Sequence, residues 1–437
     1  VSGAGDVNGD GIGDIIVGTH QNNGSGTVRG AAYVVLGKAG GFGANVALST
    51  LNGSDGFKVS GAADGDYAGN SLSAAGDVNG DGFGDVIVGA GAADEGGISR
   101  GAAYVVFGFG TADVVVAANG KTATFTDWDG DAVTIKAAKG PLTASQFHLS
   151  SPNPITGGAH LLYVDFTGVT DGTGLTITSK RGLTGGDGLV NVGTLDARSA
   201  ALGKVSIDGD LQQLDADAVA GLTVFSLGQF AGAAMHGAPL TSEILGKFGT
   251  LTVKTDASRV TLAAETFGAI KALHLDGVHI FAAGVVNPAK IANALAIKSL
   301  TVGGSVRDSQ ILAGYDATGA AFNADVQIGA VKVLGQWIAS NLVAGALVGA
   351  DGLFGTDDDG LIGGGETGIV SKIASITISG AAFGTLGDVR DGFGFVAEEI
   401  GKFGVGKVKL PLTKGASTDT TPLLAGLTGD VRVREVA

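Results

Sequence analysis

Asp6-Val7-Asn8-Gly9-Asp10-Gly11-Ile12-Gly13-Asp14 returns 71 residues later as Asp77-Val78-Asn79-Gly80-Asp81-Gly82-Phe83-Gly84-Asp85. Arg29-Gly30-Ala31-Ala32-Tyr33-Val34-Val35-Leu36-Gly37 returns at the same spacing as Arg100-Gly101-Ala102-Ala103-Tyr104-Val105-Val106-Phe107-Gly108. No insertion separates the two matches, so one structural unit is used twice. In each copy, Asp14–Gly18 and Ala32–Leu36, or Asp85–Gly89 and Ala103–Phe107, are β-branched or aromatic runs bounded by glycine. Such runs read as short strands joined by tight turns.

The loop Asp-x-Asn-x-Asp-Gly-x-x-Asp carries the chemistry. Calcium takes about six to eight hard oxygen ligands in a flexible shell. Oxygen side chains at alternate positions converge on one point only if the chain turns sharply, and the glycine after the third ligand supplies that turn. Asp6, Asn8, Asp10, the Ile12 carbonyl and Asp14 form one expected calcium site. Asp77, Asn79, Asp81, the Phe83 carbonyl and Asp85 form the second. A pair of solvated Asx turns is the alternative. No Glu follows at the twelfth position and no helical period flanks the loop, so it sits between strands rather than in a helix–loop–helix hand.

Residues 1–108 resemble FG-GAP repeats, the blades of the integrin-α type β-propeller. Gly56-Phe57-Lys58-Val59-Ser60-Gly61 and Asp66–Gly76, ahead of the second loop, show the fuller pattern. The resemblance implies structural calcium, extracellular adhesion and ligand display more than catalysis. A propeller closes with about four to eight blades, whereas this stretch holds about one and a half. Val1–Gly5 aligns with Leu72–Gly76, so the chain opens in mid-blade. Preceding blades or neighbouring subunits are expected to supply the missing strands.

Composition narrows the function classes. Glycine is 79 of 437 residues without a period of three, and proline is only 7, which excludes collagen. A hydrophobic share of 44% excludes a disordered polar tail. The net charge of −15 argues against nucleic acid and suits a protein that meets cations. With no cysteine there is no disulfide, thiol catalysis or thiolate metal site. No run of 18 apolar residues is present to span a membrane. Residue 1 is Val and no signal peptide is seen, so a processed chain or a piece of a longer one is expected.

Residues 109–198 change rhythm and read as a small β-sandwich or cap. Thr122–Thr126 and Ala132–Lys136 alternate around Asp127-Trp128-Asp129-Gly130-Asp131, a hairpin with an acidic turn. Its three carboxylates either hold a metal or stand in solvent, and the solvated turn is the preferred reading. From residue 199 to 437 a loose repeat appears, in Leu202–Leu211, Phe248–Val253, Ile297–Val306, Ile328–Val333, Ile373–Ile378 and Ile400–Phe403. Each copy is a strand of alternating aliphatics, a glycine-rich corner and a second short strand. One such turn cannot bury its apolar face alone, so turns must stack. This region is similar to the right-handed β-helix rungs of large bacterial surface proteins. The fold class expected is therefore all-β: partial propeller blades, a sandwich or cap, then a β-helix or solenoid. The largest insertion, Gly349–Ile369, suggests a third calcium site at Asp351, Asp357 and Asp359, with a free acidic loop as the alternative.

Catalytic look-alikes fail on inspection. Gly97-Ile98-Ser99-Arg100-Gly101 fits a nucleophile elbow, but the first copy has Val28 opposite Ser99. Gly120-Lys121-Thr122 ends like a phosphate loop, yet Val115 stands where Gly is needed. His274 and His279, five apart in a strand-like stretch, face opposite sides, as do Glu398 and Glu399. Leu410-Pro411-Leu412-Thr413-Lys414 approaches a sortase signal but has Lys for Gly and no apolar anchor after it. Asn23-Gly24-Ser25 and Asn52-Gly53-Ser54 fit the N-glycan acceptor pattern.

These readings point to a non-enzymatic, calcium-stabilised structural protein, extracellular or at the cell surface. It is expected to self-associate through open β edges into a bacterial fibre or surface layer. The alternatives are an adhesin or carbohydrate-binding fragment with a polysaccharide or surface ligand, or a β-helix polysaccharide-degrading enzyme. The last would need convergent carboxylates that spacing does not show.

Overall fold

The computed structural model describes residues 1–9, 11–19, 30–38, 40–43, 45–48, 51, 55–61, 65–78, 83–93, 100–108, 114–150, 158–182, 186–229, 240–286, 288, 294–366, 368–385, 392–421, 423–424 and 430–437. Asp10, Asn79, Asp81, both N-glycan triplets and Ser99 lie outside the described residues. Among those described the chain is all-β with almost no helix, and a short 3-10 turn spans Ala144–Gln146. Among the described residues no helix is long and apolar enough to cross a membrane.

Two compact units form. Residues 1–134, 141–165 and 180–188 make the first, and residues 135–140, 166–179 and 189–437 make the second. The stretch expected as a sandwich or cap is thus divided. Leu175 and Ile177 explain why: they point inward and pair in parallel with Val205 and Ile207, which makes their strand the beginning of the parallel stack.

In the first unit, β1 (Ser2–Gly5), β2 (Asp14–Thr19), β3 (Ala31–Val35) and β4 (Gly56–Ser60) form one antiparallel sheet in that order. The second copy gives β5 (Ala68–Gly76), β6 (Asp85–Ala90) and β7 (Ala102–Val106), a three-stranded sheet. Ala4, Val7, Ile16, Val34, Val86 and Val88 from both sheets share one core. β3 and β7 have the same sequence, Ala-Ala-Tyr-Val-Val, but among the described residues only β3 is flanked by a fourth strand. Val34 is accordingly fully buried while its counterpart Val105 is 39% exposed.

The second unit is a large, nearly closed, mostly parallel sheet system of solenoid character. Three ladders advance together. Ile297 pairs with Ile328, Val306 with Trp337, and Gln310 with Asn341, each 31 residues on. A rung therefore contains three short strands, and its alternating aliphatics stack in columns such as Leu300, Val331 and Ile376, all buried. Burying such a side chain contributes about 1.5–3 kcal/mol. The next step is longer, Trp337 to Ala382 and Val343 to Val396, because loops are inserted there.

The corners of these rungs satisfy their own polar groups. The Val278 N–H donates to Ser309 Oγ and the Ser309 N–H to Ser340 Oγ, at 3.1 and 2.9 Å. Each hydroxyl in turn donates to a carbonyl two residues back. Beside them, Gly277, Asp308 and Ala339 occupy the same corner at φ +63, +47 and +43°. Only glycine is comfortable in that left-handed region, and an L-residue costs about 1–2 kcal/mol there. Ala339→Gly is expected to raise the stability of this unit by about 1 kcal/mol, net of the added backbone entropy. Chemical denaturation followed by circular dichroism checks the sign.

Candidate metal centre

The last carboxylate of each repeat loop has a task the sequence did not disclose. Asp14 accepts hydrogen bonds from the N–H groups of Val7 and Gly37, at 2.6 and 2.7 Å. Asp85 accepts the equivalent pair from Val78 and Gly108, at 2.6 and 2.8 Å. Both are buried, and each ties its loop to the end of the strand that follows the hairpin. Asp6 accepts the Gly11 N–H at 2.9 Å, Asn8 is buried, and Ile12 and Phe83 are half-buried, while Asp77 is exposed. The two loops meet directly, since the Gly84 N–H donates to the Asp6 carbonyl at 2.7 Å.

The acidic hairpin turn is not the solvated turn that was preferred from sequence. Asp127, Asp129 and Asp131 bring carboxylate oxygens within 4.8 Å of one another, with Asp127 and Asp131 buried. Among the described residues these three alone make such a group of His, Cys, Asp or Glu. The turn itself is tight: the Gly130 N–H donates to the Asp127 carbonyl, and the Asp131 N–H to Asp127 Oδ1 at 2.8 Å. Backbone from far along the chain completes it. The Gly182 and Gly188 N–H groups donate to Asp131, and the Asp187 N–H donates to Asp129 at 3.0 Å. Nothing near the turn announces this partner, and only the glycine-rich run 182–188 hints at it.

Three carboxylates this close repel unless a proton or cation separates them. Burial, helped by a hydrogen bond that the protonated Asp127 carboxyl donates to Asp129 and by the charges of Asp129 and Asp131, pushes the Asp127 carboxyl up to about 8. The ordinary value is 3.8. The folded state thus holds a proton that the unfolded chain releases above pH 4. Its stabilising effect is complete below that value and is lost as pH rises through 8. The three carboxylates could hold a hard divalent cation in the same place, and such a cation would displace that proton. Calcium addition at pH 7 is therefore expected to release about one proton per chain from this site. The release should disappear in Asp127→Asn, whose amide mimics the protonated acid. Titration calorimetry in buffers of different ionisation enthalpy reads the proton count.

Trp128, within the same turn, stacks on His160 with centroids 4.7 Å apart and planes 10° from parallel. Burial lowers the His160 imidazole to about 4, against an opposing pull from Asp129, so it is neutral at physiological pH.

Asp351, Asp357 and Asp359 do not converge in the same way. Asp351 accepts the Leu353 N–H at 2.8 Å, and Asp359 accepts those of Gly355 and Thr356 at 2.6 and 3.2 Å. Arg434, nine-tenths buried, donates to the Asp357 carbonyl at 2.8 Å and lowers the pKa of Asp359 through its charge. Burial dominates all the same, and the Asp359 carboxyl stands at about 6. Within the insertion Asp351 and Asp359 accept from its own backbone, and the Arg434 guanidinium stands against the Asp357 carbonyl.

The remaining look-alikes are placed by the backbone. His274 and His279 lie on separate strands either side of the Gly277 corner, and His274 Nδ1 accepts the Ser305 N–H at 2.9 Å. Glu398 accepts the Ser371 N–H, and Glu399 pairs with Lys372. No curated protein matches the chain. Residues 1–35 and 68–106 match the FG-GAP repeat, which agrees with the two sheets and their loops.

Proposed function

We propose that this chain is a non-enzymatic, calcium-stabilised structural protein of the cell exterior that self-associates through open β edges. In this reading the second unit is a right-handed β-helix, a stiff rod, and the first unit presents the repeat loops. The observation that carries it is the 31-residue register held on three ladders at once, which spends the chain on a continuous stack. Two further features support it. The carboxylate triad offers a divalent cation a place, and β7 presents an uncovered apolar strand edge among the described residues. Such edges are templates for strand addition.

Thermal unfolding of the whole chain with calcium and with a chelator tests the metal. At calcium about a hundredfold above the dissociation constant, each site adds about 2.7 kcal/mol to the unit that contains it. Size-exclusion chromatography and electron microscopy under both conditions test the assembly. Long or multimeric particles in calcium are the expected result, and monodisperse monomers at every concentration would sink the self-association.

A further inference from the structure

We propose that the cleft between Lys136 and Lys204, in the second unit, binds an oxyanion: a carboxylate, sulfate or phosphate group on an acidic polymer or free in solution. The cleft has a volume of about 410 Å³ and lies where neighbouring strands meet. The Ala138 N–H donates to the Gly174 carbonyl, and Thr176 pairs in parallel with Ser206. Its hollow depends on glycine. A Cβ on Gly172 would stand 3.0 Å from Lys139 Nζ, and one on Gly174 would stand 3.0 Å from the Lys204 carbonyl oxygen.

The charges are unusual for this chain. Acidic residues outnumber basic ones 42 to 27, yet two lysines and no carboxylate line the cleft. No ion pair forms at Lys136 or Lys204 among the described residues. A third ammonium, that of Lys139, sits beside Gly172 and donates to the Asp171 carbonyl at 2.8 Å. The nearest carboxylate in sequence, Asp171, accepts the Ala201 N–H at 2.9 Å. Like charges gathered around a concave surface attract a counter-ion and strengthen its hold. Each ammonium offers three donors, and the Thr176 hydroxyl adds another. Because both lysines are exposed, they meet an anion without a large desolvation cost.

This inference does not depend on the structural role proposed above. Its test uses the whole chain at low salt, where screening is weak. Polygalacturonate, heparin, inorganic phosphate and neutral dextran are titrated into the wild type, Lys136→Gln/Lys204→Gln and Lys136→Arg/Lys204→Arg. Binding of at least one anion is expected, weakened about tenfold or more in the Gln pair and retained in the Arg pair. Unchanged melting temperatures for both pairs show that the fold is intact. Binding by phosphate as well as the polymers makes a free anion sufficient, while binding by the polymers alone makes an acidic polymer the source. Lack of binding by every anion, equal binding of dextran, or unchanged affinity in the Gln pair would each overturn the proposal.

Discussion

Trp337→Ala is expected to destabilise the second unit by about 3–5 kcal/mol, the range for removing a large aromatic from a packed core. Trp337 is fully buried and is the largest such side chain in the protein. Its ring lies 5.0 Å from that of Phe395, which in turn packs edge-on to Phe403 at 4.8 Å. Its indole N–H donates to the Ser340 carbonyl at 2.9 Å, so truncation also strands an acceptor beside the serine ladder. The cost should sit near the top of the range because the site cannot collapse. Trp337 pairs with Val306 on one side and Ala382 on the other, in ladders that fix the backbone. Urea denaturation followed by far-ultraviolet circular dichroism measures the loss. Trp337→Phe, which keeps most of the apolar volume, should recover more than half of it, and equal losses in both variants would contradict the packing account.

The second large effect is expected at the loop clasp. Asp14→Ala removes the acceptor of two N–H groups, Val7 and Gly37, in a buried setting. An unsatisfied buried donor costs about 1–3 kcal/mol, so the loss should be about 2–4 kcal/mol. Asp85→Ala breaks the equivalent clasp but should cost less, because Val78 is 56% exposed and its N–H can turn to water, whereas Val7 is fully buried. The expected difference between the two copies follows from burial, since the two hydrogen bonds to the carboxylate are equivalent in both. Measured with calcium absent, it isolates the clasp from metal binding. A loss that appears only in calcium would instead assign both carboxylates to the ion.

Much of the fold could be read locally. The 71-residue repeat, the glycine-bounded β-branched runs and the aliphatic alternation in Ile297–Val302, Ile328–Val333 and Ile373–Ile378 are all strands where expected. The repeat family was equally legible, because its motif lies within one short loop and recurs in register. The boundary of the parallel stack was not, since Leu175 and Ile177 alternate as well in a sandwich as in a rung. Only their parallel partners, Val205 and Ile207, distinguish the two.

The carboxylate groups divide along the same line. In Asp127–Asp131 the turn was readable and its filling was not, because the N–H donors come from residues 182–188. In the Gly349–Ile369 insertion the acids were readable, but the guanidinium beside them arrives from residue 434. Composition and short-range periodicity by themselves determined an all-β chain with a twice-used acidic loop, because strand pattern and turn chemistry act over a few residues. Whether identical Ala-Ala-Tyr-Val-Val strands end up covered or bare was decided only by tertiary structure. Cover, charge balance and burial depend on which distant segment the folded backbone brings alongside.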